Sequence, residues 1–111
     1  MAETPAPGTV LGRLKSIADP GARISDWGEG AIILARRGEE VFAYWNECPH
    51  ANRPLNLPDG RVFLHEQKFL LCPAHGASFV MESGDCAGGP AAGGALKAVA
   101  VELVDGEIRA K

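Results

Sequence analysis

Residues 48–55 read CPHANRPL, and residues 72–79 read CPAHGASF. Each stretch contains one Cys and one His, separated by one residue in the first stretch and by two residues in the second. Thiolate sulfur and imidazole nitrogen both bind transition metals, and such short spacings let one loop supply two ligands. The two stretches together therefore predict a metal centre held between two loops.

The candidate ligands are Cys48, His50, Cys72 and His75. Two thiolates and two imidazoles can hold one [2Fe–2S] cluster, with sulfur on one iron and nitrogen on the other. A structural zinc site is the alternative, but zinc sites usually pair Cys with Cys and His with His at short spacing. Each stretch here mixes the two residue types, which favours the cluster. A disulfide between the two Cys is a third interpretation, and the lack of a secretory signal disfavours it.

The two stretches, with Gly84 and Pro90 after them, resemble the Rieske ferredoxin family from about Asp19 to the C-terminus. The resemblance implies an all-β fold, a Rieske-type β-sandwich with a small cluster-binding lobe formed by two ligand loops. We expect residues 1–8 to be a flexible tail and residues 9–111 to be a single domain.

The resemblance also implies one [2Fe–2S] cluster as the cofactor. Cys48 and Cys72 would bind the inner iron, and His50 and His75 the outer iron. The ligand loops are expected at about residues 46–55 and 72–79. A loop at about residues 83–92 is expected to cover the cluster.

Strand patterns support the all-β prediction without reference to the ligands. Apolar runs at 31–35 and 41–45 flank Arg37-Gly38, which predicts a hairpin whose strands are covered on both faces. Runs at 61–64 and 68–71 flank a second hairpin turn at 65–67. A third hairpin is predicted around Asp105-Gly106, and no window shows a helical stripe. Many short strands with Gly and Pro turns indicate a sandwich or small barrel.

Composition limits the classes of function. The 111 residues are 46% hydrophobic and 23% charged, which predicts one soluble domain with a modest core. A net charge of −3 without a basic cluster disfavours a nucleic-acid partner. We find no signal peptide and no membrane-spanning run, so we expect a cytoplasmic protein without a membrane partner.

Two further residues could bind metals, but neither has a neighbouring Cys or His in the sequence. Cys86 lies in a Gly-rich stretch, and we expect it to be a small apolar filler. His65 lies at the predicted second hairpin, and we expect it on the surface.

The second stretch also predicts a low potential. Respiratory and photosynthetic relatives carry an extra Cys in each stretch and hydroxyl groups that hydrogen-bond the cluster sulfurs. This chain has Ala74, Ala77 and Phe79 there instead, and Ser78 is displaced by one position. With fewer hydrogen bonds to sulfur, the potential should lie near the negative end of the Rieske range, roughly −150 mV.

The resemblance implies a one-electron carrier and not an enzyme, a ferredoxin component between a flavin reductase and a terminal oxygenase. The alternatives are the small subunit of an assimilatory nitrite reductase, whose partner would be that reductase, or a free-standing redox sensor. An oxygenase needs a further iron site with two His and a carboxylate, and the three His of the chain do not suffice. Asn52 and Ala77 are expected to be exposed beside the ligands, where redox partners would dock.

Overall fold

The computed structural model describes residues 5–27, 30–47, 55–57, 62–66, 68–72, 77–88 and 94–111. Within these ranges the chain forms ten strands and one short 3₁₀ helix, Leu14–Ser16. The strands are β1 Val10–Arg13, β2 Gly21–Trp27, β3 Gly30–Arg37, β4 Glu40–Trp45, β5 Phe63–His65, β6 Phe69–Leu71, β7 Ser78–Val80, β8 Cys86–Gly88, β9 Val101–Val104 and β10 Glu107–Ala110. The prediction of an all-β fold is confirmed.

The strands form three antiparallel sheets, ordered β1-β10-β9, β2-β3-β4 and β5-β6-β7-β8. The β2-β3-β4 sheet, hereafter the central sheet, lies between the other two. The sheet β5-β6-β7-β8, hereafter the ligand sheet, carries Cys72 at the end of β6. No helix in the described ranges is long and apolar enough to cross a lipid bilayer.

Strand β3 shows why the central sheet is covered on both faces. Successive side chains of a strand point to opposite faces. Ile33 and Ala35 belong to a cluster shared with the ligand sheet, hereafter the first cluster, and Ile32 and Leu34 belong to a second cluster shared with β1 and β10. All four are at most 2% exposed, and burying each Ile or Leu contributes about 1.5–3 kcal/mol. The continuous apolar run of this strand is thereby explained, as predicted.

The three predicted hairpins are confirmed: β3 pairs with β4, β5 with β6, and β9 with β10. The turn between β9 and β10 is Asp105-Gly106, with φ of 50° and 78°. Two successive residues at positive φ are typical of a type I′ turn, which matches the twist of antiparallel strands. His65 is the last residue of β5, where it pairs with Phe69, and not a turn residue as predicted.

The beginning of the described chain is attached to β10. Pro5 is buried, and the backbone amide of Gly8 donates to the carbonyl of Ala110 at 2.8 Å. Residues 1–4 lie outside the described ranges, and the boundary between a tail and a domain at residue 9 stays a prediction.

Candidate metal centre

Cys72 is the one predicted ligand that lies within the described ranges. It directly follows β6, and it is 1% exposed. Its backbone amide donates to the carbonyl of Ala77 at 2.8 Å, which closes the loop that contains His75. The position of Cys72 at a strand end is as predicted.

The other three predicted ligands, Cys48, His50 and His75, lie outside the described residues. Among those that the structure describes, no three His, Cys, Asp or Glu side chains are grouped to hold a metal ion. The four-residue ligand set therefore stays a prediction.

The surroundings of Cys72 fit a metal-bound thiolate. Its side chain belongs to the first cluster, together with Leu55, Leu70 and Phe79, each of which is 0% exposed. A buried thiolate needs a compensating positive charge, and coordination to a metal supplies one. Cys72 is a free cysteine.

The structure brings the two ligand loops to a common support. Leu55 closes the first stretch, CPHANRPL, and it is buried in the same apolar cluster as Cys72, which opens the second stretch. The strand before the first stretch, β4, also contributes to this cluster through Tyr44. Both stretches are therefore anchored in one core, as a two-loop metal centre requires.

Asn46 was missed by the sequence reasoning. It is 8% exposed, and it is the one buried polar or charged side chain among the residues that the structure describes. Its Oδ1 accepts from the backbone amide of Leu55 at 2.7 Å, and its Nδ2 donates to Oδ1 of Asn56 at 2.8 Å. In the sequence, Asn46 stands out only as a polar residue between an apolar strand and a Cys-Pro-His motif. This signal is weak, and it does not indicate which residue Asn46 binds.

Three residues behind the low-potential prediction are described, and one expectation about them is wrong. Ala77 was expected to be exposed for partner docking, but it is 0% exposed and lies in the first cluster. Its carbonyl accepts from the amide of Cys72, and its side chain lies on the same face as that of Phe79, two residues later, which packs in the same cluster. Asn52, the other residue expected to be exposed, lies outside the described ranges.

Ser78 and Phe79 lie on opposite faces of β7. Phe79 is in the first cluster with Cys72, whereas Ser78 pairs with Leu71 on the outer face of the ligand sheet. The Ser78 hydroxyl is therefore on the face opposite to Cys72. Because Ser78 is displaced by one position, as the sequence indicated, its hydroxyl points away from the Cys72 sulfur. Ala77 and Phe79, on the Cys72 side, carry no hydroxyl.

The remaining candidates behave as simple structural residues. Cys86 is partly buried against the first cluster, and its thiol donates to the carbonyl of Gly88 at 3.3 Å. The His65 side chain is 59% exposed, as predicted. Residues 86–88 form β8 within the predicted covering loop, and 89–93 lie outside the described ranges, so the covering role stays a prediction.

Comparison with known proteins agrees with this arrangement. The profile of the Rieske [2Fe–2S] domain matches residues 10–103. A comparison with curated protein sequences found no match.

Solved structures share the fold over nearly the full length. A ferredoxin of Sphingomonas yanoikuyae B1 is 25% identical, with a TM-score of 0.77, over 94% of this chain and 97% of that one. The ferredoxin of carbazole 1,9a-dioxygenase from Nocardioides aromaticivorans IC177 is 23% identical, with a TM-score of 0.73, over 97% of both chains. A complex of reduced oxygenase and oxidized ferredoxin in carbazole 1,9a-dioxygenase contains a chain that is 22% identical, with a TM-score of 0.75, over 91% of this chain and 89% of that one.

The family profile spans residues 10–103, which is most of the chain. The chain therefore belongs to the Rieske [2Fe–2S] domain family, and its cofactor is one [2Fe–2S] cluster.

Proposed function

We propose that this chain is a Rieske ferredoxin, a one-electron carrier between a reductase and an oxygenase, and not itself an enzyme. The observation that carries the proposal is the family match over residues 10–103. The near-complete coverage of two ferredoxin chains supports it.

Cys48, His50, Cys72 and His75 are the residues that would hold the cluster. When bound, the cluster supplies a one-electron redox couple. The chain contributes a rigid support, because Cys72 and Leu55 are fixed in one buried cluster and the amide of Cys72 closes its loop. Such a support limits the rearrangement that accompanies a change in charge.

The proposed redox partners are inferred from the chemistry of one-electron transfer and from one similar solved structure. A one-electron carrier needs a donor that converts two-electron reductants into single electrons, and a flavin reductase does this. One similar structure is a complex of an oxygenase with a ferredoxin, and we propose that this chain also delivers its electron to an oxygenase. The cytoplasmic location expected from the sequence stays a prediction.

The metal content of the purified protein tests this proposal first. We expect two irons and two sulfides per chain, and an electron paramagnetic resonance signal of the reduced form with average g below 2. We also expect the loaded protein to accept one electron from a flavin reductase and pass it to cytochrome c. Stoichiometric zinc without iron would refute the proposal.

The two described cysteines offer a matched test of the ligand assignment. Cys72→Ser should abolish or severely destabilise the cluster, because hydroxyl oxygen is a poor substitute for thiolate sulfur. Cys86→Ser should leave the visible spectrum unchanged, because Cys86 only packs against the core. Loss of the cluster in the Cys86 variant, or its full retention in the Cys72 variant, would contradict the assignment.

A further inference from the structure

We infer that the Asn46 side chain is a positioning residue for the cluster, which fastens the base of the first ligand loop to the support of the second. The inference rests on the proposed function, because it assumes that residues 48–55 hold ligands. It is carried by the contacts of Asn46 with Leu55 and Asn56.

The first step is that Asn46 spans the loop. Its backbone amide donates to the carbonyl of Ala31 at 2.9 Å, which ties the residue to the central sheet just beyond β4. Its side-chain oxygen accepts from the amide of Leu55, which lies beyond Cys48 and His50 in the chain. The Asn46 side chain thus joins the position two residues before Cys48 to Leu55, the last residue of the first stretch.

The second step is that the contact reaches the other ligand loop. Asn46 donates to Asn56, and Asn56 forms an antiparallel bridge with Val62, the residue before β5. In the next pair of strands, Phe63 of β5 pairs with Leu71 of β6, the residue before Cys72. Hydrogen bonds therefore run from Asn46 through the ligand sheet to the strand end that carries a ligand.

The third step is that this amide is costly to bury and that both its oxygen and its nitrogen have a hydrogen-bond partner. No buried side-chain nitrogen or oxygen in the described ranges lacks a hydrogen-bond partner. An apolar residue would fill the same volume without desolvation of an amide, but it could not bind the Leu55 amide. A buried polar group whose atoms are each hydrogen-bonded favours one arrangement of the segments that it joins. We expect such an arrangement to hold the predicted ligands of the first stretch in their binding geometry before the cluster binds.

The test compares cluster-loaded full-length variants. Asn46→Ala should broaden the resonance lines of the reduced cluster, because a looser loop samples a wider spread of ligand geometries. It should also speed the loss of visible absorbance in excess iron chelator by about tenfold, since the Leu55 amide is left without its acceptor. Asn46→Asp should give lines between those of Asn46→Ala and those of the wild type, because a carboxylate oxygen still accepts from the Leu55 amide but cannot donate to Asn56.

Ser25→Ala is the matched control. Ser25 donates a part-buried hydrogen bond to the carbonyl of Leu11 at 2.8 Å, on β2 and away from both ligand stretches. Its loss should lower the unfolding temperature and leave the linewidth and the rate of cluster loss unchanged. If Asn46→Ala gave the same linewidth and rate as Ser25→Ala, the inference would be refuted and Asn46 would be only a structural residue.

A milder variant covers the case in which Asn46→Ala yields no cluster-loaded protein. Asn56→Ala keeps the contact between Asn46 and Leu55 and removes the Asn56 side chain, with its hydrogen bonds to Asn46 and to the Leu57 carbonyl. It should broaden the lines and speed cluster loss less than tenfold, and wild-type behaviour would overturn the inference. A wild-type protein without iron would refute the proposed function, whereas a competent carrier with indifferent Asn46 and Asn56 variants would refute this inference alone.

Discussion

At the residue scale, the second ligand loop combines a buried Cys72 with neighbours that offer its side of the sheet no hydroxyl. Ala77 is fully buried next to Cys72 in the first cluster, and Ser78 lies on the other face of β7. Hydrogen bonds to sulfur stabilise the additional electron of the reduced state. The potential of this protein is therefore expected to be low for a Rieske centre.

Ala77→Ser should raise the reduction potential by tens of millivolts, because it places a hydroxyl on the Cys72 side. Ser78→Ala removes the one hydroxyl nearby in sequence and should leave the potential unchanged, since that hydroxyl lies on the outer face. Protein-film voltammetry measures both. A lower potential in the Ser78 variant would show that Ser78 already donates to the cluster.

At the scale of elements, Tyr44 joins the central sheet to the turn after β7. Its hydroxyl donates to the carbonyl of Met81 at 2.6 Å, and its ring packs against Gly84, where an added Cβ would lie 2.8 Å from Cε1. Gly84 has φ of +78°, so both its backbone and its contact with the ring require glycine. Burial raises the pKa of Tyr44 to about 12, and the charges of Asp85 and Glu82 add to the effect.

The raised pKa predicts a loss of stability in alkali. The folded state favours the neutral phenol, so the contribution of Tyr44 is complete below pH 10 and is lost as the pH rises from 10 towards 12. Tyr44→Phe should be less stable by about 1–2 kcal/mol at pH 8, because the Met81 carbonyl is left without its donor. The difference in stability between the wild type and Tyr44→Phe should become smaller above pH 10, as measured by thermal unfolding at a series of pH values.

Direct titration provides a second readout. The chain has one Tyr, so the phenolate absorbance, taken as the difference from Tyr44→Phe, reports this side chain alone. A midpoint near 10 would mean that the hydroxyl is exposed to solvent, and would contradict the hydrogen bond to Met81.

At the scale of the molecule, the two predicted ligand stretches follow β4 and β6, and we expect the ligands at the end of the sandwich where these strands finish. The chain measures 37 × 30 × 26 Å, and electron transfer falls steeply with distance, so partners must dock near the ligand loops. Glu47 is exposed and directly precedes Cys48. The chain beyond Lys97 leaves this end, since the amide of Trp45 binds Lys97 and that of Val99 binds Ala43. Residues of β9 therefore lie away from it.

Glu47→Lys should change the rate of electron transfer to the true partner, and the dependence of that rate on salt, because a charge at the docking site alters association. Glu102→Lys makes the same charge change at an exposed position on β9 and should leave the rate close to that of the wild type. Both variants should keep the visible spectrum. Equal effects of the two substitutions, measured by stopped-flow kinetics, would place the exit of the electron elsewhere.

The sequence by itself determined the features that depend on neighbouring residues. The Cys-Pro-His and Cys-Pro-Ala-His spacings indicate the ligand chemistry, and Asp105-Gly106 specifies its turn through backbone preference alone. The continuous apolar run of β3 was enough to predict coverage on both faces, because alternation along a strand sends successive side chains to opposite sides.

The tertiary structure alone decided which distant residues meet. Nothing local predicts that Asn46 binds the Leu55 amide, that Tyr44 reaches Met81, or that Ala77 is buried and not exposed. These contacts depend on how two sheets pack over a shared core, and a polar or small residue is compatible with either surface or interior until that packing is known. The ligand motif is therefore legible in the sequence, whereas the support that would hold it in place appears only in the fold.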